Sequence, residues 1–248
     1  MMSVAEYRKH PAFSYSLLKA YLKSPLHGIS QEPPAESASL RFGSAVDMIL
    51  KGDTNFVVNP FEDGRTKAAK EWKAENAGKI VLTQSELEKA TLCAAAVASH
   101  PAVQDLCLPM MSTDVPMFGE YDGVPIRGLP DYVFGGSILD LKTTSGGVDM
   151  QSFARAADNF HYDLQAFMYT ELARQAGEEA PTFGWIVVEN EKPFDVAVYR
   201  ATPEIFAIGK RKLELALRNV KLAQQGKLHG VAQASQELVM PTWYGNNL

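Results

Sequence analysis

The chain has 248 residues, of which 46% are apolar, with 29 acids against 24 bases and a formal net charge of −5. That is material for a substantial core in one large domain or two small ones. No run approaches the roughly 20 apolar residues that span a bilayer, and Met1-Met2-Ser3-Val4-Ala5-Glu6 lacks a signal-peptide pattern. The two cysteines cannot supply the four thiolates of an iron–sulfur cluster.

Cys93 and Cys107 lie in apolar surroundings and read as reduced core thiols of a cytosolic protein. Ser14 or Ser16 caps a short helix carrying Leu17, Leu18, Tyr21 and Leu22, which Ser24-Pro25 stops. Residues 30–39 read as loop. Phe42, Ala45, Val46, Ile49 and Leu50 then follow helical spacing over 40–50. Residues 52–64 read as loop and 65–78 as a short exposed helix with alternating charge. Thr83-Gln84-Ser85-Glu86 is a capping box that opens a helix to about His100.

The pattern then changes. Pro116–Tyr121 and Val124–Phe134 read as strands joined by the hairpin signal Asp122-Gly123. Gly135-Gly136 turns the chain into a third strand, Ser137–Thr143. A helix over about 151–175 follows, ended by Gly177. Two further strands, Phe183–Val188 and Asp195–Tyr199, precede a last helix that Thr202-Pro203 opens and that runs to about Gln225. The order predicts an α/β fold with a mixed central sheet flanked by helices. It gives a single domain over 1–232, mainly helical over 1–100 and sheet-bearing over 115–232, with a loose tail over 233–248.

The candidate chemistry sits on the third strand. Strand alternation puts Asp140 and Lys142 on one face, about 6.6 Å apart at a rise of roughly 3.3 Å per residue. Leu141 between them points its side chain to the opposite face. Asp131, after Pro130 on the neighbouring strand, converges on Asp140. Two carboxylates make a hard-oxygen site suited to Mg²⁺, with Mn²⁺ as a substitute. A phosphodiester is anionic, and such ions neutralise it and activate water, while Lys142 positions or deprotonates that water or stabilises charge on phosphorus. An acid, any residue, then lysine is a weak pattern by itself. Glu71-Trp72-Lys73 repeats it on a segment of helical character.

Downstream, His161, Gln165 and Tyr169 recur at i, i+4 and i+8 and share a helical stripe, with Phe160, Leu164, Phe167 and Met168 as core positions. The stripe is either a satisfied core hydrogen-bond network or, beside the upstream motif, places Gln165 to fix the lysine or contact DNA, with Tyr169 in support. Asp47 stands out among Ala45, Val46, Met48, Ile49 and Leu50. A buried acid is costly unless paired or metal-bound, so Asp47 is either a further metal ligand or a solvent-facing or capping residue. Residues 101–200 carry 15 acids against 6 bases, whereas 201–248 carry 6 bases against 3 acids. Lys210, Arg211, Lys212 and Arg218 on the last helix are therefore candidate DNA contacts.

Together these residues resemble the RecE-type (exodeoxyribonuclease VIII-like) exonucleases of the PD-(D/E)XK superfamily. Asp131…Asp140-Leu141-Lys142 is similar to the superfamily motif, and Gln165-Ala-Phe-Met-Tyr169 to the QxxxY motif of its RecB-like branch. Tyr15-Ser16-Leu17-Leu18-Lys19, Ser24-Pro25-Leu26-His27 and Arg41-Phe42-Gly43-Ser44-Ala45-Val46-Asp47 resemble the family's opening segments. The likeness covers about 12–230. It implies a restriction-endonuclease-like core and Mg²⁺-dependent hydrolysis of linear double-stranded DNA, usually 5′ to 3′. The ligands would be Asp131, Asp140, the Leu141 carbonyl and Asp47, the last where the family usually has histidine. The implied partners are duplex ends, a single-strand annealing protein and, in some relatives, further copies forming a ring. A non-catalytic nucleic-acid-binding protein on the same fold and an endonuclease of the superfamily are the competing readings.

Overall fold

The computed structural model describes residues 4–32, 37–61, 65–232 and 234–235. The expected loops over 30–39 and 52–64 fall partly outside these residues, and the expected tail over 233–248 almost wholly so.

The N-terminal portion holds helices α1 (Val4–Lys9), α2 (Tyr15–Tyr21), α3 (Pro25–Ile29), α4 (Ala38–Lys51), α5 (Lys67–Glu75), α6 (Gln84–Ser99) and α7 (Pro101–Gln104). Ser14 Oγ accepts from Leu17 N at 3.4 Å and caps α2. Ser24-Pro25 does more than stop that helix. Ser24 Oγ accepts from His27 N at 3.2 Å and Pro25 opens α3, because proline's missing N–H is no loss in a first turn. The capping box of α6 forms as expected, with Thr83 Oγ1 accepting from Glu86 N at 3.1 Å and Glu86 Oε2 from Thr83 N at 2.7 Å. This portion is not all helix and loop. Strand β1 (Phe13–Ser14) precedes α2, and β2 (Phe56–Val58) pairs in parallel with β3 (Ile80–Leu82). Glu71-Trp72-Lys73 lies on α5, so the decoy motif has no strand behind it.

The second portion holds β4 (Ser112–Thr113), β5 (Met117–Tyr121), β6 (Val124–Gly128), β7 (Tyr132–Phe134), β8 (Ser137–Thr144), α8 (Met150–Phe160), α9 (Tyr162–Gln175), β9 (Thr182–Glu189), β10 (Val196–Arg200) and α10 (Pro203–Gln224). The central sheet runs β10-β9-β8-β7-β4. Its β8–β9 pair is parallel and its other pairs are antiparallel, so the sheet is mixed, as expected. Two predicted elements are each two. The strand expected over 124–134 breaks at Leu129-Pro130-Asp131, since proline cannot donate to a ladder. Its first half, β6, joins β5 and β1 in a separate three-stranded sheet, and only β7 reaches the central one. The helix expected over 151–175 breaks at His161, which adopts left-handed φ 58° and ψ 44°.

Alternation along β8 and β9 divides the core. Ile138, Phe183, Trp185 and Val187 pack with Leu164, Met168 and Leu172 of α9 and Leu213 and Leu217 of α10. Leu139, Ile186 and Val188 pack on the other face with Phe42, Ala45 and Val46 of α4 and Ala90, Cys93 and Val97 of α6. Each fully buried aliphatic side chain stabilises by roughly 1.5–3 kcal/mol, which fixes the strand register because a one-residue slip exchanges the two faces. Gly209 lets α10 press on α9: a Cβ there would lie 2.1 Å from the Asp163 carbonyl oxygen. Two expectations need correction. Cys93 is buried but Cys107 is exposed, and Phe160 is exposed at the C-terminal end of α8 instead of in the core.

Candidate metal centre

Asp140 is buried on the α9 side of β8. The alternation that buries Ile138 carries Asp140 and Lys142 to the same face, and Lys142 Nζ makes an ion pair with Asp140 Oδ2. Gln165, on the first turns of α9, donates from Nε2 to Asp140 Oδ1 at 2.6 Å. One turn further along the same helix, Tyr169 is buried. Gly128 makes room for it, since a Cβ there would lie 2.8 Å from the Tyr169 ring. Lys142 Nζ also lies over the Tyr162 ring, 4.4 Å from its centroid. A carboxylate and an aromatic face both favour the charged ammonium.

Asp131 follows the Pro130 break. Its Oδ2 accepts from Leu141 N at 2.7 Å, which ties it to β8 between Asp140 and Lys142. Asp47 comes from α4, on the opposite face of the sheet. Asp47, Asp114 and Asp131 each offer an oxygen within 4.8 Å of the other two, the one such acidic group among the described residues. Lys51, one turn after Asp47, donates from Nζ to Asp47 Oδ2 at 2.6 Å and to Asp114 Oδ1 at 3.0 Å. Tyr132 Oη donates to Asp47 Oδ1 at 3.4 Å.

This concentration of charge perturbs its members. Burial, followed by the Asp140 and Asp47 charges, holds the Asp131 carboxyl well above its ordinary range. Burial also raises Asp47, against the opposing pull of Lys51. For Lys142, burial favours the neutral amine, but the Asp140 carboxylate and the neighbouring Tyr162 and Asp131 outweigh it and raise the ammonium's pKa. Acids kept from ionising by one another and by burial are the setting in which a divalent cation binds strongly, since it favours the charged form of each. The donor set is carboxylate oxygen without thiolate or imidazole, which fits Mg²⁺ or Mn²⁺. Asp140 Oδ1 and Oδ2 each keep a second lone pair for a cation while held by Gln165 and Lys142.

The structure therefore brings together Asp47, Asp131, Asp140, Lys142, Gln165 and Tyr169. His161 does not join the Gln165–Tyr169 stripe: it sits in the turn between α8 and α9, with Nδ1 3.2 Å from Lys212 Nζ. The four bases of α10 do not form one face. Lys212 is bound to Asp163 at 2.7 Å, and Lys210 lies 3.9 Å from Glu214. Arg211 and Arg218 line a surface cleft with Asp122, Glu214 and Lys221. Sequence reasoning missed Lys51, Asp114 and Tyr162. The i, i+4 spacing of Asp47 and Lys51 was a readable signal. Asp114 left none, because only the fold carries it to the centre.

A mixed sheet flanked by helices, with an acid and a lysine two residues apart on one strand, is the PD-(D/E)XK-like fold. The chain belongs to the family described as "PDDEXK-like domain of unknown function (DUF3799)", whose model matches residues 14–234. Among solved structures, the "Putative exonuclease" of Eubacterium rectale is similar over 97% of this chain and 96% of its own, with a TM-score of 0.68 and 15% identity. A phage related exonuclease from Haemophilus somnus 129PT matches 88% of this chain and 97% of its own at 13% identity, with a TM-score of 0.40. No curated protein matches the sequence. Among the described residues, no helix is long and apolar enough to cross a membrane.

Proposed function

We propose that the chain is a metal-dependent DNA exonuclease of the RecE type, contained in a single domain over 1–232, which hydrolyses phosphodiester bonds of linear double-stranded DNA, in the 5′ to 3′ direction. The observation that carries the reading is the Lys142–Asp140–Gln165 linkage, with Asp131 fastened to the same strand through Leu141 N. Asp131, Asp140 and the Leu141 carbonyl would hold Mg²⁺, or Mn²⁺ in its place, with Asp47 as a further ligand. When bound, the ion supplies charge neutralisation and an acidified water. Gln165 fixes the Asp140 carboxylate and Tyr169 supports Gln165. Lys142, held as a cation, offers its ammonium to the phosphate oxygens where negative charge accumulates. Lys210, Arg211 and Arg218 are the candidate backbone contacts to DNA, with Lys212 available only at the expense of its Asp163 pair.

Duplex ends are the proposed ligand, in phage-type recombination or repair in a cytoplasmic setting. A single-strand annealing protein and a ring of copies are proposed partners, since an acidic exterior steers DNA toward a basic channel. One observation favours a second reading, a nucleic-acid-binding protein that does not cleave. The Asp47 oxygen nearest Lys51 is already neutralised where the resembling family has a ligand histidine. Digestion with Mn²⁺ separates the readings: end-labelled linear duplex is shortened while closed circular DNA stays intact. Nicking of the circle would mark an endonuclease, and intact linear DNA with measurable binding would mark the non-catalytic protein.

A further inference from the structure

Nuclease centres that use two cations place them side by side between shared carboxylates. Here one side of the acidic group already holds a cation of the chain's own. Lys51 Nζ lies 2.6 Å from Asp47 Oδ2 and 3.0 and 3.2 Å from the two oxygens of Asp114. Its side chain is 8% exposed, and Nζ lies 5.3 Å from the centroid of the Tyr132 ring, whose hydroxyl binds the same Asp47. The helix sets this arrangement, because acid followed by base at i, i+4 is the favoured orientation of a helical pair. Asp114 completes it from 63 positions further along the chain.

We infer that the Lys51 ammonium is a built-in cation that fills the place between Asp47 and Asp114, so that this centre takes one divalent ion, on the Asp131–Asp140 side. The inference rests on the metal-dependent reading of the same centre. Charge supports it. Once a cation draws all four carboxylates into the ionised form, Asp47, Asp114, Asp131 and Asp140 carry four negative charges against the two ammoniums paired within the set, Lys51 and Lys142, and one divalent ion neutralises the surplus of two. A second ion beside Lys51 would meet an ammonium that shares both its prospective ligands. Asp114 is then an anchor for Lys51, and Asp47 can offer the ion only Oδ1, which also accepts from Tyr132 Oη.

The test counts Mn²⁺ bound per chain, by calorimetric titration and by the electron-spin resonance of free Mn²⁺, on the full chain without DNA. The wild type should bind one ion. Lys51→Gln, which keeps hydrogen bonding to both acids without the charge, should bind a second ion or hold the first at least tenfold more tightly. Lys51→Arg, which keeps the charge, should match the wild type. Two ions in the wild type would overturn the inference, as would a Lys51→Gln variant unchanged in count and affinity. If that variant does not fold, the wild type and Lys51→Arg decide, a count of two in either being fatal. A wild type that binds no ion beside a Lys51→Gln that binds one would support the exclusion by Lys51 while sinking the metal-dependent reading. No binding by either sinks both.

Discussion

Gln165 Nε2 and Asp140 Oδ1 meet at 2.6 Å, joining the crossover helix to the strand that carries Lys142. Both side chains are buried, so this bond sets how the Asp140 carboxylate is turned. Gln165→Leu should therefore cost about 1–3 kcal/mol, as a buried carboxylate oxygen loses its donor. Urea unfolding measures the loss. A variant as stable as the wild type would show that Asp140 does not depend on Gln165.

The acidic centre predicts a pH dependence whose sign is fixed. Burial and its neighbours raise the folded-state pKa of Asp131 above the ordinary 3.8. The unfolded chain then releases this proton first, so the contribution of Asp131 to stability is full below about pH 3.8 and falls as pH rises toward its folded value. Asp131→Asn keeps an oxygen to accept from Leu141 N and removes that titration. In metal-free buffer the variant should melt higher than the wild type, with the gap widening as pH rises from 4. Melting curves at several pH values check this, and a gap that closes with rising pH contradicts it.

Divalent cations should reverse the penalty. Binding only to the folded chain at about 100 times Kd adds about 2.7 kcal/mol. In a chain of this size each kcal/mol corresponds to about 2–4 °C in Tm. Mg²⁺ or Mn²⁺ should raise the melting temperature accordingly and EDTA should restore the lower value, while Asp131→Asn should respond much less.

The bases of α10 should separate by their surroundings. Lys212 lies 2.7 Å from Asp163 in a partly buried pair, so Lys212→Ala should lower stability by leaving that buried acid unpaired. Arg211→Ala and Arg218→Ala should leave the melting temperature unchanged and weaken DNA binding, each reducing the slope of log affinity against log salt by about 1. Fluorescence anisotropy with a labelled duplex at several salt concentrations reads this out. Equal stability losses in all three variants would remove the distinction.

How much of this centre the sequence discloses depends on the range of the interaction. Asp140 and Lys142 are legible because strand period alone places them on one face. Gln165 and Tyr169 are legible from helical period, although the helix breaks just before them at His161, whose left-handed turn has no glycine to announce it. Pro130 did signal its break, as a residue unfit for the middle of a strand, yet its place in the motif hid that meaning. Asp114 and the parallel β2–β3 pair depend on contacts between distant segments, and neither periodicity nor capping encodes these. The bases of α10 were legible as a cluster but not as a surface, because the acid that engages Lys212 comes from α9.

Lys142 is the group on which hydrolysis most depends, and its substitution is the most direct measurement. Release of labelled nucleotide from linear duplex in Mg²⁺ should fall by about 10²–10³ in Lys142→Ala, on the scale of losing one preorganised charge-stabilising group, with duplex affinity retained. Undiminished release by Lys142→Ala, or no release by the wild type with either Mg²⁺ or Mn²⁺, would contradict a metal-dependent nuclease built on Asp140 and Lys142.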